Sequence, residues 1–185
     1  ALALSASSPL PLSGALLCAT ACLIRPAQEA DMPAIAALYA PLVSSSVVTF
    51  ELEPPSPEEM AERWQKLVQA GYPYLVAYEG TEFRGFAYCG PFRSREAYRF
   101  ITENSVYLVP SAQGKGLGKA LMEGVIAGAR RKGCTQMLAV ITDVPECAAS
   151  LAFHTALGFE RVGTVHSAGY KFDRWLDVAL LQRAL

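Results

Sequence analysis

A glycine-rich stretch in the middle of the chain most constrains its fold. VPSAQGKGLGKALMEG, residues 109–124, follows the apolar run NSVYLV and leads into a helical pattern. Backbone N–H groups at a helix start lack intrahelical partners, and the helix dipole favours negative charge there. Glycines let that backbone approach a ligand closely. The order of strand, glycine loop and helix therefore predicts an anion site suited to a phosphate.

The glycine spacing does not match two common phosphate motifs. A P-loop needs G-x-x-x-x-G-K-[ST]; Gly118 and Lys119 fit, but Gln113 replaces the first glycine and Ala120 the Ser/Thr. The dinucleotide fingerprint G-x-G-x-x-G fits Gly114 and Gly116 but then meets a lysine. The pattern that remains is Q-x-x-G-x-G followed by an alanine. A glycine turn that binds no ligand stays open at this point.

Two helices are predicted before the glycine loop. EADMPAIAALYAPLV has Asp31 as a candidate N-cap and Pro33 in its first turn. SPEEMAERWQKLVQAG opens with a capping-box pattern between Ser56 and Glu59, and Gly71 ends it. A short strand, LIRPA, precedes both.

The remaining segments alternate strand and helix patterns. YLVAYEGTEFRGFAYCG predicts a β-hairpin that turns at Gly80 and Thr81. A helix from about Leu117 to Lys132 follows the loop, then the strand QMLAVI and the helix AASLAFHTALGF, stopped by Gly158. RVGTVHSAGYKF and RWLDVALLQRAL supply a last strand pair. This order predicts an α/β fold, a mixed sheet with helices on both faces.

The net charge and the cysteine content indicate which partners and which cellular compartment to expect. The net charge is −1, so no basic excess indicates a nucleic acid partner. The five cysteines, at positions 18, 22, 89, 134 and 147, are odd in number and form no C-x-x-C. Neither a disulfide framework nor a metal site is indicated, which favours a reducing compartment.

The first 24 residues carry no charge. A signal peptide would have a basic start, and Ser, Pro and Gly interrupt the apolar run that a membrane span needs. We expect a poorly structured extension over residues 1–22 and one domain over residues 23–185.

Several motifs together carry a family resemblance. The loop QGKGLG with Ala120 resembles the acyl-CoA pyrophosphate loop of the GCN5-related N-acetyltransferases, and SLAFHTALGFERVG resembles their helix–LGF–strand ending. TFELEPPSPEEM, FAYCGPF, AYRFITENSVYLVPSAQGKGLGKALM and GYKFDRWLDVALLQ resemble a narrower branch, the phosphinothricin and methionine sulfone or sulfoximine N-acetyltransferases. The resemblance covers roughly residues 24–182.

The resemblance implies a mostly antiparallel sheet and acetyl transfer from acetyl-CoA to a primary amine of an amino acid analogue such as phosphinothricin, methionine sulfone or methionine sulfoximine. It also implies a homodimer that acts on a small molecule. From the net charge, the cysteines and the interrupted apolar run, we expect a cytoplasmic protein with no metal and no membrane or nucleic acid partner. Two alternatives stay open: an acetyltransferase for another small amine, and a non-catalytic acyl-CoA-binding module.

The resemblance places two catalytic residues. Glu103, just before NSVYLV, would take the amine proton directly or through a water. His154, before LGF, would face the sulfur and protonate the leaving thiolate, or serve as base. The alternatives are a surface carboxylate and a core or capping histidine. His166 receives no role.

The residues expected to bind acetyl-CoA lie on the strand NSVYLV, in the glycine loop and at one cysteine. The Leu108 N–H would stabilise the carbonyl oxygen, while Lys115 and Lys119 are equally expected as solvated lysines. Cys147 stands where the family has an asparagine; seven residues from His154, about 10 Å along one helix, it is too far to be activated as a nucleophile. The full set is Val106, Tyr107, Leu108, Gln113, Gly114, Lys115, Gly116, Leu117, Gly118, Lys119 and Cys147.

The resemblance also implies which residues contact the amine substrate. Arg93 would clamp a carboxylate with its planar guanidinium, whereas Phe50 and Trp175 could equally be core residues. The expected substrate-binding residues are Arg93, Tyr98, Glu103, Asn104, Ser105, Phe50 and Lys171.

Overall fold

The computed structural model describes residues 16–17 and 22–185. Its strands are β1 (Leu16–Leu17), β2 (Cys22–Pro26), β3 (Tyr74–Glu79), β4 (Glu82–Pro91), β5 (Ile101–Leu108), β6 (Gln136–Thr142), β7 (Glu160–Lys171) and β8 (Arg174–Ala184). Its α-helices are α1 (Met32–Ser45), α2 (Pro57–Gln69), α3 (Leu117–Lys132) and α4 (Ala148–Ala156).

The described strands form one sheet in the order β1-β2-β3-β4-β5-β6-β8-β7. Strands β5 and β6 run parallel, and every other neighbouring pair is antiparallel. A parallel pair needs a long crossover, which α3 supplies here. The mixed, mostly antiparallel sheet is confirmed.

Helices cover both faces of this sheet. Neighbouring residues of a strand point to opposite faces. Val76 packs with Ile35 of α1 and Met60 of α2, whereas Ala77 packs with Leu121 and Val125 of α3. The face of α3 that packs on the sheet, namely Leu121, Met122, Val125 and Ile126, is buried throughout.

Helix α3 begins and ends where the sequence predicts, between left-handed glycines at Gly116 and Gly133. In α2 the Ser56 hydroxyl accepts from the Glu59 N–H, but the Glu59 carboxylate pairs with Arg63, so only half of the capping box forms. Asp31 stands at the N-cap position of α1, as the sequence predicts, but its side chain makes no capping hydrogen bond to that helix. That buried carboxylate instead accepts two hydrogen bonds from Arg25, because the guanidinium neutralises its charge.

Strands β5 and β6 pair only over their first residues. Residues 101–103 face residues 136–138, and beyond that point both strands continue without pairing to each other. The divergence leaves a wedge between Ser105 and Leu108 on one side and Ala139 and Thr142 on the other.

The predicted N-terminal extension falls mostly outside the described residues, although β1 pairs antiparallel with β2. In residues 16–17 and 22–185, no helix is long and apolar enough to cross a membrane. Cys22, Cys89, Cys134 and Cys147 are free thiols.

Candidate active site

A cavity of about 800 Å³ fills the wedge between β5 and β6. Residues from the loop after α1 close one end, and the glycine loop with α4 closes the other. The cavity brings together Phe50, Glu103, Asn104, Ser105, Val106, Tyr107, Leu108, Gln113, Gly114, Gly116, Gly118, Lys119, Cys147 and His154 from the predicted site.

The glycine loop forms an open cradle at the start of α3. Gly114 and Gly116 have φ of +71° and +80°, and a Cβ built on either would meet no atom within 4 Å. Only glycine adopts such angles without strain. Both glycines line the cavity beside the free N–H groups of the helix start. The cradle therefore fits the anion that the sequence predicts.

Two predicted loop residues point elsewhere. Leu117 is 2% exposed and belongs to the core under α3, and Lys115 does not line the cavity. Lys119 does line it, with its ammonium 3.9 Å from Glu123. Of the two lysines, Lys119 is the one placed to assist an anion.

Glu103 lies at the point where the strands diverge. It pairs with Gly90 of β4 and Leu138 of β6, and its half-buried side chain lines the cavity. Burial raises its pKa above the ordinary 4.5, because the low dielectric disfavours the carboxylate. A raised pKa brings a carboxylate closer to the working range of a general base.

His154 is held from both sides by protein groups. Its Nδ1 lies 2.9 Å from the Ser150 carbonyl, and its Nε2 lies 3.0 Å from Asn104 Oδ1. Asn104 Nδ2 donates to the Leu138 carbonyl at 2.7 Å, which orients the amide with its oxygen towards the histidine. Both ring nitrogens thus face acceptors, and burial lowers the pKa of His154 below 6.5. The ring lines the cavity, yet both of its nitrogens are engaged internally.

This arrangement also changes the expected role of Asn104. The residue is 6% exposed, and both ends of its amide are used within the protein. Asn104 therefore joins Leu138 of β6 to His154, and a hydrogen bond to a substrate would use the remaining N–H or lone pair of the amide.

Cys147 precedes α4 and borders the cavity. Burial raises the pKa of its thiol, and the nearby Glu146 carboxylate adds to the effect. The neutral thiol is therefore favoured over the thiolate that nucleophilic chemistry requires.

Lys171 does not face the cavity. It is 4% exposed, and its ammonium donates to the Thr49 carbonyl at 2.8 Å. The expectation of direct substrate contact does not fit this burial, because a substrate cannot reach the ammonium group. Phe50, which follows Thr49, does line the cavity and is 37% exposed.

Arg93 and Tyr98 lie apart from the cavity, around Phe92. The Arg93 guanidinium is 5.0 Å from the Phe92 ring centre, and the Tyr98 ring meets Phe92 edge-on at 5.8 Å. Neither borders the cavity, so the predicted carboxylate clamp does not form in this arrangement. Trp175, also considered as core, is 67% exposed.

Several cavity residues carry no recognisable signal in the sequence. Tyr39 fits the apolar spacing of α1, but its hydroxyl reaches Thr49 and Glu51 at the cavity end. Phe153 and Tyr88 line the walls as well. Aromatic residues in amphipathic patterns look like core, so their local sequence carries no signal for a site.

The described residues contain no cluster of three or more His, Cys, Asp or Glu side chains arranged to hold a metal ion. The chemistry that the cavity offers is a carboxylate of raised pKa, an anion cradle and unpaired strand edges.

Comparison with known proteins identifies the family of this chain. A sequence model of the acetyltransferase (GNAT) family matches residues 39–159, from the cavity end through the glycine loop to α4. Phosphinothricin N-acetyltransferase of Alcaligenes faecalis is 41% identical over 93% of this chain and 87% of its own. The L-methionine sulfoximine/L-methionine sulfone acetyltransferase of Pseudomonas aeruginosa is 37% identical over 86% of this chain and 92% of its own.

A solved structure shows the same architecture. A phosphinothricin acetyltransferase from Sinorhizobium meliloti, in complex with AcCoA, superposes with a TM-score of 0.83 at 44% identity. The match covers 89% of this chain and 88% of that protein.

Proposed function

Since this chain belongs to the acetyltransferase (GNAT) family and is an acetyl-CoA-dependent N-acetyltransferase, we propose that its acceptor is the primary amine of an amino acid analogue. Phosphinothricin, methionine sulfone and methionine sulfoximine are the candidates, as the names of its relatives suggest. The observation that carries the proposal is Glu103, a half-buried carboxylate of raised pKa in the same cavity as the anion cradle.

The glycine loop binds the cofactor phosphates in this proposal. The N–H groups of residues 114–119 point from a helix start, where the dipole favours anions. The Lys119 ammonium adds a positive charge on the cavity side. Gln113, Gly114, Gly116 and Gly118 all border the same space, which supports close approach of the backbone.

The free edge of β5 receives the rest of acetyl-CoA. Val106, Tyr107 and Leu108 line the wedge where β6 no longer pairs with them. A backbone edge of this kind binds an extended amide-bearing chain as a strand would. The Leu108 N–H stabilises the negative charge that develops on the thioester carbonyl oxygen.

Glu103 prepares the amine for attack. A bound ammonium passes its proton to the carboxylate, directly or through one water, and the neutral amine attacks the thioester carbon. Because the raised pKa of Glu103 is closer to that of an amine, the transfer is easier than to an exposed carboxylate.

His154 was expected to protonate the thiolate. Because its contacts with Asn104 and Ser150 occupy both ring nitrogens, we assign His154 a positioning role instead. It ties α4 to the wedge and thereby positions the strand edge and Cys147. The leaving thiolate then takes its proton from solvent or from protonated Glu103.

A second candidate is acetylation of another small amine. Among the described residues that line the cavity, the basic side chains are Lys119 at the glycine loop and His154. None of these described lining residues is an arginine, so none of them offers a guanidinium to an amino acid carboxylate. An amine without a carboxylate fits this lining without further rearrangement.

We propose a homodimer, since Tyr170, Phe172 and Trp175 expose apolar surface around the β7–β8 turn and such patches mark interfaces. We propose a cytoplasmic location, because the cysteines in the described part of the chain are free thiols.

A thiol-release assay tests the function. Acetyl-CoA is supplied with phosphinothricin, methionine sulfone, methionine sulfoximine or a polyamine, and each amino acid analogue is matched with its decarboxylated form. Preference for the carboxylate forms supports the first candidate. Equal or higher rates on amines without a carboxylate would assign the second instead.

A further inference from the structure

Gly169 of β7 lies against one side of the Phe50 ring, at Cδ2, Cε2 and Cζ. A Cβ built on Gly169 would lie 2.5 Å from Phe50 Cδ2 and 3.0 Å from Cζ, and closer still to Cε2. Real Cβ atoms essentially never come so close, so no larger residue fits while the ring stays in place. The φ of Gly169 lies outside the left-handed range, so its backbone conformation does not require glycine. The missing side chain matters because it leaves room for the ring.

The chain on either side of Phe50 is fixed in place. The Thr49 carbonyl accepts from Lys171, and the Thr49 hydroxyl pairs with the Tyr39 hydroxyl at 2.7 Å. Glu51 accepts from Tyr39 at 2.9 Å and is bound by both guanidinium nitrogens of Arg63. With both neighbours held, the backbone of Phe50 cannot retreat if its ring is pushed.

A break in the β7–β8 pairing sets this contact. The register shifts between Val165 and Gly169, and the intervening Ser167 has a φ of +48°. The Asp177 carboxylate holds the break by accepting from the Ser167 N–H and contacting His166 at 2.8 Å. Gly169 and Lys171, two residues apart and so on one face of the strand, then meet Phe50 and Thr49.

We propose that Gly169 determines the acceptor specificity of this enzyme by fixing the Phe50 ring as the back wall of the substrate end of the cavity. The residue contacts no substrate; it acts through Phe50. A methyl group at position 169 pushes the ring into the cavity and shortens the space for the acceptor side chain. This inference rests on the proposed N-acetyltransferase function and refines its substrate class to acceptors of limited side-chain length.

The test uses a homologous series of amines. S-Methylcysteine sulfone, methionine sulfone and ethionine sulfone differ by one methylene at a time, and kcat/KM is measured for each at saturating acetyl-CoA. Gly163→Ala is the matched control, since Gly163 lies on the same strand and a Cβ there meets no atom within 4 Å. The double variant Gly169→Ala/Phe50→Leu removes part of the displaced ring.

Gly169→Ala should lower kcat/KM for the longest sulfone relative to the shortest by about tenfold, the discrimination that one methylene gives in an apolar pocket. The KM for acetyl-CoA should stay unchanged, and the double variant should regain the long substrate. A chain-length profile equal to that of Gly163→Ala, or a loss that persists in the double variant, would overturn the proposal.

A crystal structure of Gly169→Ala makes the test independent of activity. The ring of Phe50 should be displaced towards the cavity, and a ring in its original place would contradict the inference. If the wild-type enzyme acetylates neither the sulfones nor phosphinothricin nor methionine sulfoximine, the proposed function fails; a displaced ring in that crystal would still show that Gly169 sets the position of Phe50.

Discussion

His154 Nε2 lies 3.0 Å from Asn104 Oδ1, and this contact joins α4 to the point where β5 and β6 separate. The pair stands between two backbone carbonyls, those of Ser150 and Leu138, which only accept hydrogen bonds. A neutral imidazole carries one N–H, so in that state one of the two contacts, Nδ1 with Ser150 or Nε2 with Asn104, has no proton between its atoms. Burial lowers the pKa of His154, while the acceptors around it favour the protonated ring.

Asn104→Leu should therefore act on both stability and titration. Losing the amide leaves buried partners unsatisfied, which costs about 1–3 kcal/mol of unfolding free energy in denaturant titrations. With one acceptor gone, the pKa of His154 should fall further in an NMR titration. The signals of His166, the other histidine of the chain, should not respond, since it lies on exposed β7. An unchanged His154 titration would show that the amide does not influence the ring.

Glu103→Gln should lower kcat by about 10²–10⁴-fold, the usual contribution of a general base. The loss should be largest at low pH, where the amine most needs to give up its proton, and should shrink at high pH. A pH–rate profile of unchanged shape and height would exclude Glu103 as the base.

The same variant should be more stable than the wild type at neutral pH. Burial raises the pKa of Glu103 in the folded protein above 4.5. As pH rises, Glu103 therefore ionises in the unfolded chain before it does so in the folded protein. At neutral pH the buried carboxylate thus lowers the free energy of unfolding. Well below pH 4.5 the carboxyl is protonated in both states, and the difference in stability between Glu103→Gln and the wild type should vanish. Urea titrations at both pH values measure it; equal stability at neutral pH would mean that the carboxylate carries no burial cost.

Gly116→Glu should abolish acetyl-CoA binding in calorimetry, because a carboxylate then occupies the anion cradle. Gly133→Glu is the matched control: it caps the other end of α3, is also left-handed with φ of +94°, and its Cβ would likewise meet no atom within 4 Å. Both variants carry similar backbone strain, but only Gly116 borders the cavity. Equal affinities for acetyl-CoA in the two variants would show that the glycine loop does not bind its phosphates.

Cys147 should not carry the acetyl group. Its buried thiol has a raised pKa, so transfer is direct within a ternary complex, and Cys147→Ala should remain active. Cys147→Asn should bind acetyl-CoA more tightly, because an amide both donates and accepts hydrogen bonds. Mass spectrometry that trapped an acetyl group on Cys147, together with lost turnover in the alanine variant, would establish a covalent route instead.

Much of the fold could be predicted because its signals are local. Gly116 and Gly133 mark both ends of α3, and Gly80 with Thr81 marks the β3–β4 hairpin. The anion cradle followed from the same local pattern, since its glycines and the helix start are adjacent in sequence.

The roles of Lys171 and Asn104 could not be predicted this way. Lys171 meets the Thr49 carbonyl across 122 positions, and Asn104 meets His154 across 50. A polar residue near a predicted site looks the same in sequence whether it faces a ligand or a buried carbonyl. Long-range pairing decides between the two, and no spacing rule encodes it.

The most direct test of the central claim is product analysis with one acceptor. The enzyme is incubated with acetyl-CoA and methionine sulfone, and the products are separated, identified and quantified by mass spectrometry. The account predicts that free CoA and N-acetylmethionine sulfone form in equal amounts, and that Glu103→Gln forms both far more slowly. CoA release without an acetylated amine, or an unchanged rate in Glu103→Gln, would contradict it.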